Sequence, residues 1–255
     1  MRKAAMICLL LSALISCPSS SAAEGDVFRT GYVCFDLEGN ERWSAETEIT
    51  RSESGRKDVY TLTEKGKGYY SGFKDKVSWT AVLEFESNDR RVRPLRMEKR
   101  TFSEEGGPIA LEIQEFDFTD ERVTCIHEDL SGGTRREKAF RIKGDIANRL
   151  ILGLYVQKFL ENAIRRREIY MLSSEPRLYR IDIKVVGEEE LDINGRERAA
   201  YKLCLDPDLG LFNMLKVVLP KAYAWHSAVP KFEWLKYVGL EGSVSSPKVE
   251  IRTLE

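Results

Sequence analysis

Strict alternation of apolar and polar side chains is the feature that most constrains this chain. The segments 77–85 and 179–185 each carry an apolar residue at every second position. Because successive side chains of a β-strand point to opposite faces, each segment predicts a strand with one buried and one solvated face. This pattern is typical of antiparallel sheets, whereas strands of parallel sheets are usually apolar on both faces. A sheet with one solvated face also explains how 32% charged residues coexist with 42% hydrophobic residues.

Turn residues separate the alternating segments and predict a meander. Gly106-Gly107, Gly132-Gly133 and Asn194-Gly195 each stand between strand-like segments. The Asn-Gly pair is the strongest signal, because it favours positive φ at both positions of a two-residue hairpin turn. Residues 24–255 contain no linker rich in proline, glycine or serine and no internal repeat. We therefore expect one domain with roughly ten or more strands.

A change of phase is expected within one of these strands. Ile109, Leu111 and Ile113 alternate, and the apolar positions then move to Phe116 and Phe118. One extra residue in a strand produces such a shift, so the pattern predicts a β-bulge between the two groups.

One segment departs from the alternation and predicts a helix near residues 145–166. Its large apolar residues recur at helical spacing, and Asp145 stands where an N-cap is expected. Arg165, Arg166 and Arg167 lie at the C-terminal end, where positive charge suits the helix dipole. The segment is too apolar for a surface helix, so we expect it to pack against the sheet. The predicted fold is mainly β, with a strongly curved antiparallel sheet (an incomplete β-barrel) wrapped around one apolar α-helix.

The first 23 residues predict export from the cytoplasm. Arg2 and Lys3 precede an uncharged apolar run over residues 4–16, which is shorter than the roughly 20 residues of a membrane span. No later segment is long and apolar enough for a span. We therefore expect residues 1–23 to be a signal peptide and residues 24–255 to form a single β-rich domain in the cell envelope of a Gram-negative bacterium.

Two processing sites remain open. The small residues that end at Ala23 suit signal peptidase and predict a soluble periplasmic protein. The segment Leu14-Ile15-Ser16-Cys17 also matches a lipobox, in which Cys17 is acylated and anchors the protein to the outer membrane.

The charge of the chain limits the class of partner, and its cysteine content limits the number of disulfides. Lys and Arg total 40 against 41 Asp and Glu. Nucleic acid is therefore not expected as a partner, because no positive excess is available to neutralise its phosphates. Cys34, Cys125 and Cys204 follow the cleavage site, and three thiols allow at most one internal disulfide. Three free, largely buried thiols are the alternative, and the sequence does not choose between the two.

Catalytic and metal-binding motifs are absent from the sequence. Cys125 and His127 share one face of a strand and form the one pair that suits zinc or a nucleophile with its base. The chain has only two histidines and no spacing typical of a zinc site or of a hydrolase. We therefore expect no metal, no cofactor and no enzymatic activity. The charged runs at 165–167 and 188–190 are expected to be solvated surface.

Aromatic and turn residues follow a recognisable order in the C-terminal third of the chain. They are Leu178-Tyr179-Arg180-Ile181, Gly187-Glu188, Ile193-Asn194-Gly195, Ala200-Tyr201-Lys202-Leu203, Trp225, Phe232-Glu233-Trp234-Leu235-Lys236-Tyr237 and Pro247-Lys248-Val249-Glu250-Ile251. This order resembles the exported bacterial family of domain of unknown function 3108. The resemblance implies an outline similar to periplasmic lipoprotein carriers and outer-membrane lipoprotein receptors, in which an incomplete barrel holds a hydrophobic cavity under a helical lid. Residues 28–100 add nothing to this resemblance.

Six large side chains of the predicted sheet and helix are candidates for lining such a cavity. They are Trp79, Leu150, Leu154, Tyr155, Trp225 and Trp234. Concave sites lined mostly by apolar side chains bind small apolar ligands, so we expect a non-catalytic periplasmic binding or carrier protein for a lipid or a lipidated protein. If the same side chains fill an ordinary packed core, the chain is instead a cell-envelope assembly or structural protein that binds a protein partner.

The apolar run at 209–219 also has two interpretations. If it is exposed, it predicts an interaction patch or a mobile flap. If it is buried, it is an additional strand or short helix of the core.

Overall fold

In a computed structural model, the structure describes residues 27–51, 58–173, 176–208, 221–242 and 246–254. The predicted signal peptide, Ala23, Cys17 and the apolar run at 209–219 lie outside these described residues. The strands of the described part are β1 (Phe28–Asp36), β2 (Glu41–Arg51), β3 (Val59–Gly68), β4 (Val77–Ser87), β5 (Val92–Ser103), β6 (Pro108–Asp117), β7 (Arg122–Asp129), β8 (Thr134–Arg141), β9 (Ile146–Asn148), β10 (Arg166–Leu172), β11 (Leu178–Ile193), β12 (Arg196–Asp208), β13 (Ala222–Ser227), β14 (Trp234–Leu240) and β15 (Lys248–Thr253). One helix, α1 (Leu152–Glu161), lies between β9 and β10.

All of these strands belong to one sheet of fifteen strands. Their spatial order is β8-β7-β6-β5-β4-β3-β2-β1-β15-β14-β13-β12-β11-β10-β9. The sheet therefore consists of two meanders joined where β1 pairs with β15, with Tyr32 opposite Thr253. Every described pair is antiparallel except β9 with β10, which is parallel, and β8 and β9 end the sheet without closing it. The prediction of a mainly β, barrel-like fold is confirmed, although the sheet is mixed rather than wholly antiparallel.

The predicted Asn-Gly hairpin is confirmed. Asn194 and Gly195 have φ values of 55° and 80°, and they join β11 to β12 with Ile193 opposite Arg196. Two successive residues with positive φ give the turn a twist that matches the twist of the flanking strands.

The predicted β-bulge in β6 is wrong. Pairing of β6 with β7 is unbroken from Ala110 to Asp117, and the register shift with β5 lies at the start of β6 instead. From Ala110 onwards the strand keeps one phase, so Glu112 and Gln114 are buried on the same face as Phe116. Leu111 and Ile113 are half-buried on the opposite face, whereas Ile109, at the register shift, packs against the main buried cluster.

The predicted helix is shorter than expected, and its predicted cap is wrong. Residues 146–148 form β9 and residues 166–172 form β10, leaving 152–161 as helix. Asp145 does not cap α1, whose N-cap residue is Ile151. It instead accepts a hydrogen bond from Arg167 Nε at 2.9 Å, near the start of β10. Spacing alone did not separate the buried strand from the helix, because both are apolar.

The predicted C-terminal basic run therefore lies mainly in a strand. Arg166 pairs with Asp182 on β11 at 2.9 Å, and Arg167 pairs with Asp145.

Among the described residues, no helix is long and apolar enough to cross a membrane.

Candidate functional site

Five of the six candidate lining residues lie in one cluster. Trp79, Leu150, Leu154, Tyr155 and Trp234 are all buried, with at most 5% of their surface exposed. They belong to the interior cluster, which we define as the large set of buried apolar side chains that joins α1 to strands of both meanders. The face of the sheet that contributes to this cluster is called the inner face below. The structure thus places these residues of the helix segment and of the sheet in one cluster.

Trp225 lies apart from the other five. It packs in a smaller cluster with Ile193, Ala200 and Leu235, and its Nε1 donates a hydrogen bond to Glu189 at 2.6 Å. The preceding residue, Ala224, belongs to the interior cluster. Since neighbours along a strand point to opposite faces, Trp225 is on the outer face of the sheet.

Aromatic rings form two groups on the inner face. Trp79 lies 5.7 Å from Trp43 and 4.9 Å from Tyr70, measured between ring centroids. In the second group, Tyr32 on β1 contacts Trp234 on β14 edge to face, with 5.5 Å between the ring centroids. Edge-to-face and tilted contacts of this kind add to the stabilisation that comes from burial alone.

A row of polar side chains, which the alternation of apolar residues in the sequence does not predict, crosses the same inner face. Glu64 on β3, Lys99 on β5 and Glu112 on β6 are 1%, 5% and 7% exposed. The register places Glu64 opposite Ala81, Ala81 opposite Lys99, and Lys99 opposite Glu112. Ala81 is small, so the two longer side chains beside it share the space above it. The row continues to His127 on β7.

A buried ion pair links this row to the segment before α1. Arg149 Nη2 donates to Glu64 Oε1 at 2.8 Å, and Trp79 Nε1 donates to the same oxygen at 2.7 Å. Although burial opposes its charge, Arg149 has a raised pKa because Glu64, together with Tyr70 and Glu112, favours the charged form. Within the described residues, Glu64 Oε2 has no hydrogen-bond partner. A carboxylate in this position depends on its cation, because an unpaired buried charge is costly.

Lys99 carries the second buried cation of the row. Its Nζ lies 4.2 Å from the centroid of the Tyr70 ring and 5.4 Å from that of Trp79. Burial and, to a smaller extent, the charge of Arg149 lower the pKa of Lys99 to about 7, against the opposing effect of Glu112 and Glu64. The side chain of Lys99 therefore changes its protonation state near neutral pH, although it is buried.

Amide side chains extend the polar contacts towards the helix. Gln114 donates to Glu112 at 2.8 Å, and Asn148 donates to Gln114 at 3.1 Å. Asn148 Oδ1 in turn accepts a hydrogen bond from the backbone N–H of Leu150 at 3.1 Å. The polar row thus fixes the chain immediately before α1. The one signal of this row in the sequence is the phase of Leu111 and Ile113 relative to Phe116, which a β-bulge would also explain.

The thiols and imidazoles do not form a metal cluster in the described part of the chain. Cys34, Cys125 and Cys204 are buried and free, which agrees with the second of the two alternatives for the cysteines. Burial raises the pKa of Cys125 to about 12, so this thiol is protonated and a weak nucleophile near neutral pH. His226 is fully buried with its Nδ1 2.8 Å from the carbonyl oxygen of Phe232, and burial lowers its pKa to about 4.

Comparison with known proteins supports the fold and leaves the family open. No protein-family model and no curated protein matches the chain. A crystal structure of a beta-barrel-like protein of domain of unknown function DUF1849 from Brucella abortus is similar, with a TM-score of 0.52 and 7% identity over 92% of this chain and 98% of that chain. At this identity the similarity shows a shared barrel-like fold alone. The resemblance to domain of unknown function 3108 and to lipoprotein carriers stays a prediction.

Proposed function

We propose that this chain is a non-catalytic binding protein of the Gram-negative cell envelope, and that it holds an acyl chain between α1 and the inner face of a sheet that curves around the helix. The observation that carries the proposal is the interior cluster itself. Buried apolar side chains of α1, including Leu154 and Phe159, share one cluster with Leu83 and Trp234 from the two meanders. An acyl chain in this position would replace contacts between these side chains with contacts to its own methylene groups. Each methylene that it buries contributes about 0.8 kcal/mol.

The arrangement of polar groups supports a defined orientation for such a ligand. Glu64, Lys99 and Arg149 lie at one end of the helix, where the chain enters α1. The helix itself presents Leu152, Leu154 and other apolar side chains. A ligand with a polar group and an apolar chain would place the polar group at the row and the chain along α1, since buried polar groups require partners.

Fluorescence quenching by a brominated fatty acid tests the proposal. Of the four tryptophans, Trp43, Trp79 and Trp234 belong to the interior cluster and Trp225 does not. We expect 12-bromododecanoic acid to quench the protein's emission saturably, with a dissociation constant below about 100 μM. The matched variants are Trp225→Phe and Trp234→Phe.

The two variants distinguish the inner face from the outer face. In Trp225→Phe the quenched fraction is expected to rise, because an emitter far from the ligand has been removed, whereas in Trp234→Phe it falls. Loss of quenching in Trp225→Phe would place the fatty acid on the outer face and overturn the proposed site. Absence of saturable quenching in all variants would overturn the carrier function.

A second candidate function is an envelope assembly protein with a filled interior that binds a protein partner. It is favoured by the polar contacts Arg149–Glu64 and Asn148–Gln114, which already occupy part of the space before α1. This alternative predicts no saturable quenching. It also predicts that native mass spectrometry of protein purified from its own envelope fraction gives a mass that organic extraction does not change.

A further inference from the structure

An open cleft of about 560 Å³ lies on the outer face, at the end of strands β2 to β5. Its floor is formed by Ser44, Lys67 and Ser78, which lie directly opposite one another on three adjacent strands. The flanking residues Trp43 and Trp79 point to the inner face, so the three floor residues point away from the interior cluster. The floor of the cleft therefore faces away from the site proposed above, and its volume is within the range of about 300–1,000 Å³ that is ordinary for small-molecule sites.

The walls of the cleft combine an aromatic ring with charged groups. Tyr69 is 47% exposed, and Lys76 Nζ lies 5.3 Å from the centroid of its ring. Glu41 lies at the start of β2, and Ser103 with Glu104 closes the cleft at the end of β5. A half-exposed tyrosine in a concave site offers both a flat apolar surface and a hydroxyl group.

The charges of the cleft balance. Arg42, which also lines it, is already paired with the buried Glu241 at 2.8 Å. Lys67 and Lys76 form no ion pair with any described residue, and neither do the carboxylates at 41 and 104. The groups of the cleft outside ion pairs are thus two amines that donate hydrogen bonds, two carboxylates that accept them, and three serine hydroxyls that do both. One of the amines, Lys76, also lies over one side of the Tyr69 ring.

This composition disfavours apolar ligands and ligands that carry a net charge. An anion would meet the carboxylates, a cation would meet the amines, and an apolar ligand would desolvate all four charges without replacing their hydrogen bonds. An extended peptide that adds to a sheet requires a free strand edge, but β2, β3, β4 and β5 are each paired on both sides. A neutral ligand with many hydroxyl groups satisfies the donors and acceptors together, because each hydroxyl both donates and accepts.

We propose that this cleft binds a carbohydrate, with the sugar hydroxyls on the serine, lysine and glutamate side chains and an apolar face of one sugar ring on Tyr69. Binding here does not depend on the interior site. The proposal predicts that a bulky side chain at position 78 abolishes sugar binding, because Ser78 lines the cleft. The interior cluster should stay intact, because Ser78 is an exposed residue of the outer face.

Titration by ¹H–¹⁵N NMR with tetra-N-acetylchitotetraose and with maltotetraose tests the proposal. At least one of them is expected to shift the backbone signals of residues 41–44, 67–69 and 76–78, with a dissociation constant in the millimolar range or tighter, about 10 mM at most. Ser78→Tyr should weaken this binding at least about tenfold. Thr80→Tyr is the matched control, because Thr80 lies on the same strand and face but outside the cleft.

Three outcomes would overturn the proposal. One is that neither tetrasaccharide shifts any cleft signal at about 10 mM, which is the weakest useful affinity for such a site. Another is that Thr80→Tyr weakens binding as much as Ser78→Tyr does. The third is that inorganic phosphate or an acidic peptide shifts the same signals more strongly than either sugar, which would identify an anion site. Loss of folding in Ser78→Tyr is detected by the same spectra, and Tyr69→Ala then replaces it as the test.

Discussion

Replacing Arg149 by Met is expected to destabilise the fold by leaving one carboxylate charged, buried and without its cation. The side chains of Arg149 and Glu64 are 6% and 1% exposed, and their ion pair measures 2.8 Å. In the variant, the described donor that still reaches Glu64 Oε1 is Trp79 Nε1 at 2.7 Å. The second oxygen, Oε2, already has no partner among the described residues.

The size of the effect follows from the distance and the burial of this pair. At 2.8 Å and an effective dielectric constant of about 20, the Coulomb attraction is about 6 kcal/mol before desolvation is subtracted. Removal of one partner of a buried pair costs about 3–5 kcal/mol, because the remaining charge stays desolvated. For a domain of this size, about 2–4 °C per kcal/mol translates this loss into a fall in Tm of about 6–20 °C.

Urea unfolding followed by circular dichroism measures the loss, with an unchanged slope confirming that the same surface unfolds. The double variant Arg149→Met/Glu64→Gln removes both charges and keeps an acceptor for Trp79, so it should recover most of the lost stability. Arg29→Met breaks the exposed Arg29–Glu48 pair, whose side chains are 74% and 40% exposed, and should cost less than about 1 kcal/mol. If Arg149→Met also costs less than about 1 kcal/mol, the reasoning about a charged interior is refuted. If the double variant is no more stable than the single one, the loss comes from packing rather than from charge.

Three further predictions concern buried titratable groups and one close contact. The pKa of His226 is about 4 when folded and about 6.5 when unfolded. Stability is therefore expected to fall as the pH drops from about 6.5 to 4, by on the order of 3 kcal/mol, and His226→Asn should remove this dependence in urea titrations. The pKa of Lys99 is about 7 when folded and about 10.4 when unfolded, so wild type should lose stability relative to Lys99→Met as the pH falls from about 10 to 7, with no further loss below that. A Cβ atom on Gly66 would overlap the Trp79 ring at Cζ2, so Gly66→Ala should cost about 1–3 kcal/mol. Gly187→Ala meets nothing within 4 Å and should leave the thermal midpoint unchanged.

The strands that could be predicted from the sequence are those whose inner residues are apolar. Trp79 and Leu83 on β4, and Ile181 and Ile183 on β11, are buried as the alternation predicts. The hairpin at Asn194 was predictable because its signal is local and depends on two backbone angles. These features require no knowledge of what lies across the interior.

Other features depended on contacts between residues far apart in the sequence. Glu112 can face inward because Lys99 lies opposite it and Gln114 donates a hydrogen bond to it. A pattern based on hydrophobicity alone instead predicts that a carboxylate faces the solvent. Residues 146–148 are strand rather than helix because they pair with β10, some 20 residues later. The face that Trp225 occupies was likewise set by strand pairing, and proximity in sequence to Trp234 did not determine it.

The pairing of β1 with β15 has a consequence for the order in which the fold can form. Each meander is built from neighbours in sequence, so β1 to β8 can associate as soon as they are available. The free edge of β1 must wait for β15, because Cys34 pairs with Ile251 near the far end of the chain. Closing a loop of this length is entropically costly and slows folding. Until the last strand docks, the intermediate exposes two strand edges in the middle of the future sheet, and these edges are its principal route to aggregation.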